Sequence, residues 1–287
     1  MVRLSFLTIL LLLFVVTSKA QLLYPKASPH CIINQQAGLT SFTIDYSRPA
    51  ARGRKVFGHL VPYGRIWRVG ANESTKFKIT EEVEVMGNTL PAGIYALYAF
   101  PEKEEWEVVF HSNISHWGDG RDNYNPDEDV FRIKVVPEKI KDFQENFTIT
   151  FNEINYDTLF MDWEWEYTRI RIPIKLGTHE KMMEQITVSL RNQPDAITYY
   201  HAARYFEEQK TDADQCIEWL DKAEALEGPS YYVSRVKSLC YARLGDYQKA
   251  INEAVKSKDI AASLGKDEFV RMNDENIKKW SLKQRNK

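Results

Sequence analysis

Leu159-Phe160-Met161-Asp162-Trp163-Glu164-Trp165-Glu166-Tyr167-Thr168-Arg169-Ile170-Arg171-Ile172-Pro173-Ile174-Lys175-Leu176 decides the fold class. Leu159, Met161, Trp163, Trp165 and Tyr167 occupy odd positions, and Ile170, Ile172, Ile174 and Leu176 occupy even ones. Alternation with a period of two marks a half-buried strand. The change of phase would turn every later side chain to the wrong face, so it predicts a bulge or turn near Thr168-Arg169. Gly177 ends this pattern, and Thr178 with Glu180 reads as a helix start.

The same alternation runs upstream. Phe42, Ile44 and Tyr46 interleave with Thr43, Asp45 and Ser47, and Phe77 and Ile79 with lysines. Val83 and Val85, then Trp106, Val108 and Phe110, then Phe131, Ile133 and Val135, then Phe147, Ile149 and Phe151 follow suit. Ile94 to Phe100 is apolar throughout and reads as a central strand covered on both sides. Gly87-Asn88 reads as a hairpin turn, and Pro91-Ala92-Gly93 introduces the next strand. Short strands without intervening helical pattern predict an all-β antiparallel sandwich or barrel over residues 21–176, jelly-roll-like in its build.

Downstream, residues 177–287 read as an α-helical tetratricopeptide-like domain. Cys216 and Ala250, Leu220 and Ala254, Ala223 and Ser257, and Leu226 and Ile260 repeat at the 34-residue period of tetratricopeptide repeats. Leu244-Gly245-Asp246-Tyr247-Gln248-Lys249-Ala250-Ile251 resembles the turn and second helix of that repeat. The first copy is degenerate, with Lys210-Thr211-Asp212-Ala213 at the turn. Two repeats are few for a stable stack, so helices from Thr178 to Asn192 and around Phe269, Met272, Ile277 and Trp280 are expected to complete it.

Arg3, the uncharged run Leu4 to Val16, and Thr17-Ser18-Lys19-Ala20 have the layout of a secretory signal peptide over residues 1–20. Its apolar run is shorter than the ~20 residues that span a bilayer. Export to the periplasm or the extracellular space is therefore expected, with no transmembrane segment after cleavage. Loss of Arg3 and Lys19 would take the formal charge from −2 to −4. That mild acidity points away from nucleic acid. The three cysteines, Cys31, Cys216 and Cys240, are too few for a disulfide framework. Cys216 and Cys240 read as free core thiols in helices, in preference to a disulfide.

The densest polar stretch is Tyr46 to Thr75. It carries Arg48, Arg52, Arg54, Arg65 and Arg68, with glycines, prolines and aromatics between them. Converging guanidinium groups would bind a carboxylate or phosphate. The competing reading, favoured on spacing, is a long structured connection whose arginines pair with acids and backbone carbonyls.

Ser28-Pro29-His30, Tyr46-Ser47-Arg48-Pro49, Leu60-Val61-Pro62-Tyr63-Gly64, Trp67-Arg68-x-Gly70-Ala71-Asn72-Glu73 and Leu90-Pro91-Ala92-Gly93-x-Tyr95 together resemble one family. It is the exported bacterial family known as domain of unknown function twenty-nine eleven. The likeness covers about residues 21–176 and implies fold and compartment but no chemistry. Where that family usually has Glu-Ala-Thr, this chain has Glu73-Ser74-Thr75. The polar members of these motifs, His30, Arg48, Arg68, Asn72 and Glu73, form the candidate ligand-binding set together with Arg54. Glu73 and His30 are a conceivable acid and base, but no catalytic motif accompanies them. A polar cluster that merely fixes the connection explains the same residues.

Other features carry less. Asp119 to Asp129 is rich in oxygen ligands but lacks EF-hand spacing, so it reads as a solvated turn. No histidine has zinc-ligand spacing, and no metal or cofactor is expected. Three Asn-x-Ser/Thr triplets, at Asn72, Asn113 and Asn146, are uninformative. Trp163-Glu164-Trp165-Glu166-Tyr167 reads as a strand with a buried aromatic face rather than a sugar-stacking platform. The expected function is a binding module, with a small anionic or sugar ligand on the sandwich and a protein partner on the helical repeats. The alternative is a hydrolase or isomerase acting on an anionic or carbohydrate substrate at the Arg/Asn/Glu cluster. That alternative requires Arg48, Arg68, Asn72 and Glu73 to converge on one pocket.

Overall fold

β-branched and aromatic residues in alternation build ten strands in the computed structural model, which describes residues 24–116 and 123–286. They are β1 (His30–Ala37), β2 (Thr40–Ser47), β3 (Thr75–Ile79), β4 (Val83–Val85), β5 (Asn88–Leu90), β6 (Gly93–Phe100), β7 (Trp106–His111), β8 (Asp129–Val135), β9 (Glu138–Asn152) and β10 (Thr158–Lys175). The expected signal segment lies outside the described residues, as does part of the Asp119–Asp129 stretch. The chain divides into two compact units, at Thr178 and His179.

The first unit is a sandwich of two antiparallel sheets. One has the order β1-β2-β3-β6-β7-β8 and the other β5-β4-β10-β9. Phe42, Ile44, Phe77, Leu97, Val108 and Phe110 from the first sheet meet Ile149, Met161, Trp163, Ile170 and Ile172 from the second in one core. Each such side chain contributes about 1.5–3 kcal/mol when fully buried. β6 lies inside its sheet and is covered on both faces: Leu97 and Ala99 face the core, while Ala96 and Tyr98 pack with Val109 under Ile66 and Tyr124.

Two local expectations shift by one or two residues. Val85 pairs with Asn88, so the hairpin turn is Met86-Gly87, both at positive φ (+49° and +84°). A two-residue turn of that kind matches strand twist, and glycine supplies the second position without strain. The phase change in β10 is absorbed at Glu166, where φ is +52° and the register with β9 shifts on both sides. The bulge therefore sits ahead of Thr168-Arg169. It keeps Trp165 and Ile170 both buried and leaves Tyr167 exposed.

The second unit has six helices: α1 (Thr178–Arg191), α2 (Ala196–Glu208), α3 (Ala213–Glu227), α4 (Tyr231–Arg243), α5 (Tyr247–Ser263) and α6 (Asp267–Arg285). Side-chain caps start the inner ones. Asp195, Asp212, Ser230 and Asp246 accept from the N–H groups of Thr198, Gln215, Val233 and Lys249, each such cap contributing about 1 kcal/mol. The expectation of two free core thiols is corrected. Cys216 on α3 and Cys240 on α4 form a disulfide across 24 residues, their Cα atoms 6.8 Å apart. Packing of the two helices brings both thiols to the same buried place, which helical spacing within either one does not reveal. Among the described residues no helix is long and apolar enough to cross a membrane.

Candidate functional site

Between the end of β2 at Ser47 and the start of β3 at Thr75 the chain runs 27 residues without a regular element. A connection this long in a compact domain is uncommon unless it serves a site. It is anchored by aromatics. Phe57 and Trp67 enter the core edge-on against Trp106, and Trp67 stacks on Trp165 at 6.1 Å. Trp67 also exchanges both backbone hydrogen bonds with Ala99, at 2.7 and 2.8 Å.

The turn after Trp67 is strained. Val69 is buried with φ +56°, Gly70 has φ +138° and Asn72 has φ +64°. A β-branched residue in the left-handed region is a true outlier and costs about 1–3 kcal/mol. It is held there by the Thr75 hydroxyl, which donates to the Val69 carbonyl, and by the Trp67 indole, which donates to the Gly70 carbonyl at 3.2 Å. A Cβ on Gly70 would lie 2.8 Å from the Ser47 carbonyl oxygen, so only glycine fits this approach.

The arginines divide by role. Arg48 donates to the Phe147 carbonyl at 3.1 Å and to Thr148 Oγ1 at 2.6 Å. Arg52 donates to the Ala27 carbonyl at 2.8 Å. Arg54 donates Nε and Nη2 to the carbonyls of Ala51 and Ala50, at 2.9 and 2.8 Å. These contacts match the reading of a connection stitched to backbone carbonyls. Arg54, Arg65 and Arg68 nevertheless line a single cavity of about 300 Å³, with Leu60, Ile66 and Trp165 among its walls. Arg65 belongs to the run of five arginines but not to the candidate set.

A second cavity, of about 420 Å³, holds His30, Asn72 and Glu73 with Asp45, Ser47 and Lys76. His30 Nε2 and Asp45 Oδ1 stand 2.6 Å apart on the exposed face of β1 and β2. Asn72 Nδ2 donates to Ser47 Oγ at 2.9 Å. Lys76 donates to the Ser74 hydroxyl at 2.6 Å, and burial pulls its ammonium below the ordinary lysine value against the opposing fields of Glu73 and Asp45. Burial pushes the neighbouring Tyr46 phenol up to about 12, while its oxygen accepts the Ile149 N–H at 3.1 Å. Asp45 and Lys76 were legible as outward members of alternating strands, but only pairing puts them beside His30 and Asn72.

The candidate set is thus split. Arg54 and Arg68 line the first cavity, His30, Asn72 and Glu73 the second, and Arg48 neither. Arg48, Arg68, Asn72 and Glu73 therefore do not share either of these two cavities. Among the described residues no group of three or more His, Cys, Asp or Glu side chains could hold a metal ion.

No curated protein and no solved structure matches the chain. Residues 28–174, the sandwich with its long connection, match the family model described as Protein of unknown function (DUF2911), and the chain belongs to that family.

Proposed function

We propose that this is an exported binding protein, periplasmic or extracellular, whose sandwich holds a small ligand at the β2–β3 connection and whose helical unit recruits a protein partner. One observation carries the ligand half: the connection is fixed in a strained form with a cavity on each side of residues 69–73. Strain of this kind persists where surrounding structure over-determines it, which is common at ligand sites. Export is supported by the layout of residues 1–20.

The partner half rests on a tetratricopeptide-like reading of the helices. Three of the four pairs spaced by 34 residues, Cys216 and Ala250, Leu220 and Ala254, Ala223 and Ser257, are buried at matching places on α3 and α5. Leu226 departs from the pattern, being 58% exposed. Crossings of the chain between sheets at β3–β4, β5–β6 and β8–β9 support a jelly-roll-like description of the sandwich.

Mass spectrometry of the purified chain under native conditions should detect a co-purifying small molecule. A pull-down with and without residues 178–287 should lose partners when the helices are removed. Identical partner sets would remove the recruiting role.

A second reading, acid–base catalysis on an anionic or carbohydrate substrate, is favoured by the His30–Asp45 pair beside Glu73 in one cavity. It draws no support from Arg54 and Arg68, which line the other, or from Arg48, which lines neither.

A further inference from the structure

The two sheets end on β1 and β8, and on β5 and β9. Three of these edges are blunted. β8 carries Asp129, Arg132 and Lys134. β9 carries Lys139 and Lys141, and the long connection covers part of its outer side: the Ala51 N–H donates to the Glu145 carbonyl at 2.8 Å, and the Phe147 N–H to the Pro49 carbonyl at 2.9 Å. β5 is only three residues long. Charge, cover and shortness are the ordinary protections of an edge against pairing with another chain. β1 has none of them. His30-Cys31-Ile32-Ile33-Asn34-Gln35-Gln36-Ala37 runs for eight residues without Asp, Glu, Lys, Arg or Pro.

The register shows which of its backbone groups are free. Ala37 pairs with Thr40 across the two-residue turn Gly38-Leu39, so these two exchange hydrogen bonds. Bonded and non-bonded pairs alternate along an antiparallel ladder. Gln35, Ile33 and Cys31 therefore bond to Phe42, Ile44 and Tyr46. The Arg48 N–H, on the Pro29 carbonyl at 2.9 Å, continues the same series. His30, Ile32, Asn34 and Gln36 turn N–H and C=O away from β2. Among the described residues no backbone hydrogen bond is made on that side, and the Gln36 carbonyl takes a side-chain bond from Gln35 Nε2 at 2.8 Å. The side chains of the same four residues are exposed, Ile32 by 53%.

This strand is its own complement. Laid antiparallel on itself about Ile33, it sets Ile32 opposite Asn34, His30 opposite Gln36, Cys31 opposite Gln35 and Ile33 opposite Ile33. No like charges oppose one another, because His30, held by Asp45 at 2.6 Å, comes opposite an amide. The four residues with free backbone then pair only among themselves, giving about eight hydrogen bonds over about 20 Å. A slip of one residue would set each of them opposite a residue already bonded to β2, and a slip of two would shorten the ladder.

We propose that β1 pairs antiparallel with β1 of a second copy of this chain, joining two six-stranded sheets across a two-fold axis at Ile33. Such an interface uses the same patch on both copies and closes after two. A strand edge is a small contact, so the dimer is reversible.

Light scattering of the full chain over a concentration series tests it. The mass should rise from that of one chain toward that of two between roughly 1 and 200 µM. Ile32→Pro removes an N–H that β2 does not use, so it should hold the chain at the mass of one copy and keep the urea midpoint. Ile32→Lys sets two ammonium groups diagonally across the axis and should weaken dimerisation by roughly tenfold or more. Gln35→Cys places a thiol opposite Cys31 of the second copy, in a non-bonded pair with Cα atoms about 4.5 Å apart, within cystine reach. Mild oxidation should then yield a covalent dimer, and adding Cys31→Ser should abolish it. A chain at the mass of one copy throughout would overturn the proposal. So would a dimer that persists undiminished in both Ile32 variants, or one that forms no crosslink through Gln35→Cys.

Discussion

Arg48 donates Nε to the carbonyl of Phe147 at 3.1 Å, closing 99 residues of sequence with one side chain. Its Nη2 reaches Thr148 Oγ1 at 2.6 Å, and its own N–H donates to the Pro29 carbonyl at 2.9 Å. The residue ties the start of the long connection to β9 in the opposite sheet. Hydrogen bonds from charged donors contribute about 1.5–3 kcal/mol each. Arg48→Ala should therefore destabilise the sandwich by about 2–3 kcal/mol, read as a lower urea midpoint at unchanged slope. A midpoint equal to that of the parent chain would return Arg48 to the ligand-binding set.

Gly70→Ala tests the turn. The added methyl would meet the Ser47 carbonyl oxygen at 2.8 Å, in a backbone conformation that alanine resists. We expect a stability loss above about 1 kcal/mol together with weaker ligand binding, because the same turn bounds both cavities. Gly87→Ala is the control: it shares the positive φ but has open space around it, so it should leave binding unchanged.

The bulge at Glu166 makes the opposite prediction. Glycine at φ +52° removes a strain of about 1–2 kcal/mol and adds back an entropic cost of about 0.5–1 kcal/mol. Glu166→Gly should be neutral or stabilising in urea unfolding. Deleting residue 166 should be tolerated better than deleting any other residue of β10, since Trp165 and Ile170 would then stand four positions apart and share a face without a bulge.

In the helical unit Lys237 is buried between Asp221, at 2.5 Å, and Glu224, at 2.9 Å. Burial alone would lower its ammonium, but the two hydrogen bonds and the field of Glu253 outweigh it and raise it. Burial likewise pushes the Glu224 carboxyl up, and the bonds from Lys256 and Lys237 pull it below the usual range. The raised lysine stabilises fully below its ordinary value of about 10.4 and loses this as pH climbs through the raised one. The lowered glutamate stabilises fully above about 4.3 and loses this as pH falls through the lowered one. Stability should thus decline at both extremes, measured as urea midpoint against pH. Lys237→Met should cost about 1–3 kcal/mol near neutral pH, because it removes hydrogen bonds from a buried charged donor while Glu224 keeps Lys256 and Asp221 is open to water.

The Cys216–Cys240 disulfide closes 24 residues from α3 into α4. A loop of that size contributes about 3–4 kcal/mol by constraining the unfolded chain. A reductant should lower the thermal midpoint of the helical transition and leave that of the sandwich in place. Equal midpoints with and without reductant would mean that the bond adds nothing in solution.

Alternation alone was enough to locate β2, β3, β4, β7, β8, β9 and β10, because a sheet with one buried face imposes a period of two on its residues, and a continuous apolar run located β6. Thr178 with Glu180 marked the first helix start, and the 34-residue spacing marked the helical repeat. The sequence also pointed to the connection as the place of interest, since arginine, glycine and aromatics are concentrated there. Tertiary structure decided what those residues do. Arg48 and Arg68 lie twenty residues apart, yet one clamps β9 and the other lines a cavity, a difference set by where the turn at Val69 bends the chain. Asp45 and Lys76 join His30 and Asn72 only through strand pairing, and Trp165 joins Arg54 and Arg65 only through sheet packing. Cys216 meets Cys240 only because two helices pack. Periodicity records which face of an element is buried, whereas a site depends on which faces of different elements are brought together, and that is settled by packing across the fold.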